Sequence, residues 1–153
     1  MNIRIMREAG YVEAMVGLSL SYGISPVDRA EKVALTLAQK DGGHNKFLES
    51  IYIWFDITAP RFWWQEADTY RLSTKQSEST MHTLGKRTLT HDDFEYPVYN
   101  LEKINNLLSA NLNIAIIKNI LPEGFLQRRI WVMNYKTLRN IILQRATHKL
   151  PQW

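Results

Sequence analysis

Apolar and polar residues alternate over residues 2–7, a period of two that predicts a short strand, and the β-favouring Tyr11 and Val12 extend the expectation to a second short strand over residues 11–16, beyond Ala9-Gly10. The period then lengthens. Ser25, Pro26 and Asp28 supply a hydroxyl cap, a first-turn proline and an acid near the positive end of a helix dipole. The helix they open runs to about Lys40, with one stripe of Val27, Ala30, Val33, Ala34, Leu37 and Ala38, and Gly42-Gly43 stops it. Residues 51–58 are β-branched and aromatic and read as a central strand ended by Ala59-Pro60. Phe62, Trp63, Glu66 and Tyr70 recur at helical spacing from Arg61 to Tyr70. Arg71 to Thr90 is polar, rich in Ser and Thr, and predicts a long loop that is functional or mobile. Asn100 to Ala110 predicts a helix and Leu112 to Leu121 a more buried one, broken by Pro122-Glu123-Gly124. Phe125 to Val132 predicts a strand and Tyr135 to Arg145 a final helix. Strands and helices mixed without regular βαβ alternation define an α+β class.

A chain of 153 residues supports one domain, and 45% hydrophobic with 22% charged residues is ordinary globular usage. Nineteen Lys and Arg against fifteen Asp and Glu leave +4, which favours an anionic ligand without making a polybasic surface. The absence of cysteine removes disulfides, thiolate nucleophiles and Cys-based zinc sites, and makes a reducing cytoplasm the expected location. No stretch has signal-peptide character or the roughly 18 apolar residues of a membrane span, so no membrane association is expected.

The four histidines share no metal-ligand spacing, and neither GxGxxG nor GxxxxGK[ST] occurs, so no metal site, dinucleotide fold or phosphate loop is expected. Leu138, Ile141, Ile142 and Arg145 follow i, i+3, i+4, i+7 and place a guanidinium at the end of an apolar stripe. Such an arginine either snorkels to water at the negative end of the dipole or reaches into a ligand cleft. His44, after two glycines, is either a surface loop residue or a ligand contact. The aromatic set Trp54, Phe55, Phe62, Trp63, Trp64 and Tyr70 reads first as core and second as a cofactor box. Arg128, Arg129, Lys136 and Arg139 interleave with Trp131 and Tyr135 as a solvated strand edge or a base-stacking surface, but no nucleic-acid-binding motif accompanies them and nucleic acid is not the expected partner.

In order along the chain, Gly43-His44, the strand 51–58, Ala59-Pro60, and Thr69-Tyr70-Arg71 with Ser79 after seven intervening residues resemble the signature of the flavin-dependent thymidylate synthases. Ile120-Leu121-Pro122, Trp131 to Asn134, Leu138, Asn140, Arg145 and His148 resemble that family's C-terminal segment, with a shortened stretch between Ser79 and Lys118 and an early end after Trp153. The resemblance covers most of the chain. It implies a mixed, mainly antiparallel sheet with packed helices, a homotetramer with sites at subunit interfaces, FAD as cofactor and a pyrimidine nucleotide as partner. NADPH and methylenetetrahydrofolate are the implied co-substrates. His44, Tyr70, Arg71, Gln76, Asn134, Lys136 and Asn140 take flavin-contact positions; Glu66, Ser77, Ser79 and Lys118 take substrate positions. Arg145 falls on the arginine that binds and polarises the pyrimidine.

The departures are specific. Thr69 and Tyr70 stand where the signature has arginine and histidine, Ser77 where it has glutamate, Met81 where it has a nucleotide-binding arginine, and Glu66 where it has glutamine. Losing one arginine and gaining one carboxylate weakens anion binding, so weak dUMP binding and an altered nucleotide preference are expected. Lys75, Arg87 and Lys118 are the cations available to compensate. The implied activity is flavin-dependent one-carbon transfer to C5 of a pyrimidine deoxynucleotide; the alternative is a non-catalytic flavin- or nucleotide-binding protein that kept the fold.

Overall fold

The computed structural model describes residues 1–23 and 27–153, the side chains of Val27 and Asp28 excepted. It has an α+β architecture with a four-stranded antiparallel sheet. The chain runs β1 (Asn2–Ala9), α1 (Tyr11–Tyr22), α2 (Val27–Ala38), a 3-10 segment (Gly42–Ser50), β2 (Tyr52–Pro60), α3 (Arg61–Ala67), β3 (Ser73–Ser77) and α4 (Thr80–Thr83). A short 3-10 turn (His91–Asp93), α5 (Leu101–Ser109), α6 (Ile114–Ile120), β4 (Leu126–Asn134) and α7 (Tyr135–Arg145) complete it. The sheet order is β1-β2-β4-β3. The central strand β2 keeps the period of two, burying Ile53, Ile57 and Ala59.

The structure departs from three expectations. Residues 11–16 are helical: Ala14, Met15 and Leu18 bury themselves at helical spacing, and that burial outweighs the β preference of Tyr11 and Val12. Gly10 makes the strand-to-helix corner with φ +88°, and a Cβ there would collide with the Ser50 carbonyl, so only glycine fits. The long loop over 71–90 contains β3 and α4, because a polar edge strand needs ladder hydrogen bonds rather than an apolar pattern. Helix α6 is less buried than predicted, with Ile117 buried and Ile116 exposed. The cap expected at Ser25 and Pro26, with the Asp28 side chain, lies outside the described residues.

Two compact units are present. One comprises Met1–Ile3, Asp56–Thr69 and Lys75–Ile130, the other Arg4–Phe55, Tyr70–Thr74 and Trp131–Trp153. The first has a core of Leu84, Leu89, Phe94, Ile104, Ile117, Leu121 and Phe125. In the second, Ala14, Met15 and Leu18 of α1 and Ala30, Ala34 and Leu37 of α2 pack with Phe47, Leu48 and Ile51. Each unit thus has an apolar cluster of its own. Among the described residues no helix is long and apolar enough to cross a membrane.

Candidate functional site

Helix α7 and its cap residue Asn134 carry four of the seven candidate side chains of the second unit. Asn134 caps it, its side-chain oxygen accepting a 2.9 Å hydrogen bond from the Thr137 N–H, and the Tyr135 N–H donates to the Ile51 carbonyl at 2.9 Å. The helix is therefore fixed at its start. Thr137 and Ile141 are buried, while Ile142 is 59% exposed, so the inward line is Thr137, Ile141 and Arg145 at i, i+4, i+8 rather than a stripe through Ile142. Thr137 Oγ1 donates to the Leu72 carbonyl at 3.2 Å, tying that line to the segment that carries Tyr70 and Arg71.

Arg145 ends the line half-buried among aromatic rings. Its Nε donates to the Tyr70 hydroxyl at 2.7 Å, and its guanidinium carbon stands 4.4 Å from the centre of the Trp153 ring and 5.5 Å from that of Tyr70. Both lie within the range of a cation–π contact. The chain after α7 doubles back to make this possible: His148 N–H donates to the Arg145 carbonyl, Leu150 N–H to His148 Nδ1 and Trp153 N–H to the Leu150 carbonyl. Tyr70 also packs edge-on to Trp153 at 6.1 Å and tilted to Trp131 at 6.5 Å. A cavity of about 290 Å³ beside them is lined by Ile141, Arg145, His148 and Trp153 among others.

A larger cavity, about 640 Å³, opens in the same unit between α1, the end of α2 and the 3-10 segment. His44 lines it with Glu13, Tyr22, Lys46 and Glu49. Glu49 accepts a 2.5 Å ion-paired hydrogen bond from Lys136, so one carboxylate links the cavity wall to α7. Asn140 is exposed one turn beyond Lys136 on the same helical face, and Arg71 is exposed beside Tyr70.

The remaining candidates belong to the first unit. Gln76 and Ser77 are exposed at the end of β3, Ser79 precedes α4 as its cap residue, Glu66 is half-buried on α3, and Lys118 is exposed in the last turn of α6. Lys75 lies 3.7 Å from Asp68, and its amine is lowered from the ordinary value chiefly by burial, with the Arg129 charge acting the same way. Met81 is 53% exposed.

The basic residues interleaved with Trp131 and Tyr135 each meet a carboxylate: Arg128 with Asp56, Arg129 with Asp68, Lys136 with Glu49 and Arg139 with Asp41. Trp131 is buried, as are Trp63 and Trp64, so these aromatics serve the interior rather than a stacking platform. Among the described residues no group of three or more His, Asp or Glu side chains is placed to hold a metal ion. Sequence reasoning missed Trp153 and Glu49. A ring eight residues beyond Arg145 and a glutamate far along the chain from Lys136 carry no local signal.

The architecture is that of the flavin-dependent thymidylate synthases. Two solved structures of thymidylate synthase X (ThyX) from Helicobacter pylori, both with FAD and dUMP, superpose with TM-score 0.83, covering 99% of this chain and 87% of theirs, at 17% and 16% sequence identity. No family model and no curated protein matches the sequence. At such identity the likeness establishes the fold, and the chemistry must be argued from the residues.

Proposed function

We propose that residues 1–153 form one flavin-dependent thymidylate synthase-like domain that binds FAD and a pyrimidine nucleotide and transfers a one-carbon unit to C5 of the pyrimidine. The observation that carries this reading is Arg145. It reaches the half-buried aromatic setting of Tyr70 and Trp153 at the position where the resemblance requires a pyrimidine-binding arginine, in a chain whose whole length follows the ThyX fold. The fit of the cofactor rests on the cavity of about 640 Å³ with His44 on its wall and Lys136 tied to it through Glu49. His44, Lys136, Asn140, Asn134, Tyr70, Arg71 and Gln76 would hold FAD, which supplies the hydride after reduction by NADPH, with methylenetetrahydrofolate as the carbon donor.

Within that reading each side chain has a defined task. Arg145 donates to the pyrimidine and stabilises negative charge that builds on the ring, the logic of a preorganised electrostatic site. Ser79 and Lys118 take the nucleotide, and Ser77 and Glu66 shape its preference. Assembly as a cytoplasmic homotetramer completes sites shared between subunits.

The nucleotide preference differs from that of ThyX. Met81 offers no cation, and two of the three substitutes are engaged with carboxylates, Lys75 with Asp68 and Arg87 with Asp93. Losing one charge-assisted anion contact costs about 10- to 100-fold in affinity, so dUMP binds weakly and another pyrimidine nucleotide or a differently charged nucleotide-like molecule is preferred. Calorimetric titration with dUMP, dCMP, UMP and the uncharged nucleosides in the presence of FAD tests this. Tight dUMP binding with folate-dependent dTMP formation would show an ordinary thymidylate synthase instead.

A further inference from the structure

The proposed function accounts for Arg145 but not for the aromatic frame around it. A guanidinium that binds a base must present the N–H edge of its plane to an acceptor, and a long flexible side chain does so reproducibly only when something fixes its plane and its rotation. Both constraints are present. The Tyr70 hydroxyl takes the Nε–H at 2.7 Å, which fixes rotation in the plane. The Trp153 ring at 4.4 Å fixes the plane itself. Two partners acting on different degrees of freedom make a clamp rather than a random contact.

The clamp is held from behind. Tyr70 is packed against Trp131, which is 3% exposed, and Trp153 is held by the hydrogen-bonded return of the chain through His148 and Leu150. A phenol also does here what a carboxylate would not. It accepts from Nε–H without adding negative charge beside the arginine, whose attraction for an electron-rich carbonyl oxygen depends on its positive charge.

We propose that Tyr70 and Trp153 are positioning residues that hold Arg145 ready to bind a pyrimidine. Tyr70 thereby takes up a new task at a position where the resemblance implied a flavin contact, and Trp153 gains one that no motif assigns. This inference rests on Arg145 as the pyrimidine-binding arginine. It predicts that the ring of Tyr70 alone is not enough and that its hydroxyl is required.

The test separates the clamp from the nucleotide reading. In the full chain with FAD, the Nε–H signal of Arg145 is followed by NMR, and deoxyuridine and dUMP are titrated into the parent protein, Tyr70→Phe, Trp153→Phe, Trp153→Ala, Arg145→Lys and Tyr70→Phe/Arg145→Lys. Tyr70→Phe speeds exchange of the Nε–H with water and weakens pyrimidine binding about tenfold, as loss of one hydrogen bond to a charged group would. Trp153→Phe keeps most of the affinity and Trp153→Ala loses it. The double variant is no weaker than Arg145→Lys alone, because the hydroxyl acts only through the guanidinium. Additive losses in the double variant, or full affinity in Tyr70→Phe, overturn the positioning role even though Arg145→Lys still weakens binding. Tighter binding by Trp153→Ala also overturns it, showing that the ring covers Arg145 rather than orienting it. A protected Nε–H in a parent protein that binds neither probe contradicts the nucleotide reading, and the role built on it falls as well.

Discussion

The two compact units use their arginines differently. In the first, Arg87 is bonded to Asp93, Arg128 makes two 2.7 Å hydrogen bonds to Asp56, and Arg129 lies between Asp68 and the face of Trp64 at 4.5 Å. In the second, Arg139 has the same kind of partner in Asp41, but Arg145 is oriented by a phenol and an indole. Carboxylate partners neutralise a guanidinium, which suits a strut. Aromatic partners can orient one without neutralising it. The proposed function takes Arg145 as a ligand contact and the carboxylate-paired arginines as parts of the scaffold.

Replacing the two kinds of arginine is the strongest test of that division. Arg145→Lys loses the planar fork and weakens pyrimidine binding by about 10- to 100-fold, while urea denaturation still shows a cooperatively folded protein. A variant that unfolds, or binds as well as the parent, would put Arg145 among the struts. Arg129→Met does the opposite: it removes the Trp64 stack and the Asp68 pair, costs about 1 to 2 kcal/mol in the same denaturation, and leaves ligand affinity unchanged.

Smaller effects sharpen the comparison through pH. Arg87 holds the Asp93 carboxyl below its ordinary 3.8, so the pair contributes stability above that pH and loses it as pH falls through the lowered folded value. The arginine is 62% exposed, and Arg87→Gln costs less than about 1 kcal/mol at neutral pH. The difference from the parent closes on acidification, and a gap that persists in strong acid would assign it to something other than the ion pair.

Tyr135 offers the last contrast, because this half-buried phenol bonds a carboxylate, Glu8, where Tyr70 bonds an arginine. Burial first and Glu8 second push its hydroxyl up to about 12, so its contribution is complete below the unfolded value of 10.0 and is lost as pH rises through 12. Tyr135→Phe should flatten the alkaline fall in stability and remove the highest step of a spectrophotometric tyrosine titration. An unchanged alkaline profile would contradict the assignment.

Legibility in the sequence followed how local the cause was. Helix α2 and strand β2 were readable because their apolar residues repeat with the period of the element, and α7 was placed correctly although its inward line runs through Thr137 rather than Ile142. Helix α1 was not, since Tyr11 and Val12 favour strands and only the packing of Ala14, Met15 and Leu18 against α2 decides for a helix. Strand β3 has no apolar alternation to read. Arg145 stood out as a charge on an inward line, and the motif order pointed to His44 and Tyr70. Trp153, reached from Arg145 only by the return of the chain, and Glu49, the distant partner of Lys136, are joined to them by no periodicity.

On the proposed function this fold holds a flavin beside Arg145. Titration of FAD into the purified protein, followed by flavin absorbance and fluorescence, with light scattering on the same sample, addresses it most directly. Saturable quenching, a flavin spectrum that co-elutes with a tetramer, and weaker binding by His44→Ala are expected. Colourless protein that leaves FAD fluorescence unchanged, in a sample that scatters as a stable monomer, would contradict it.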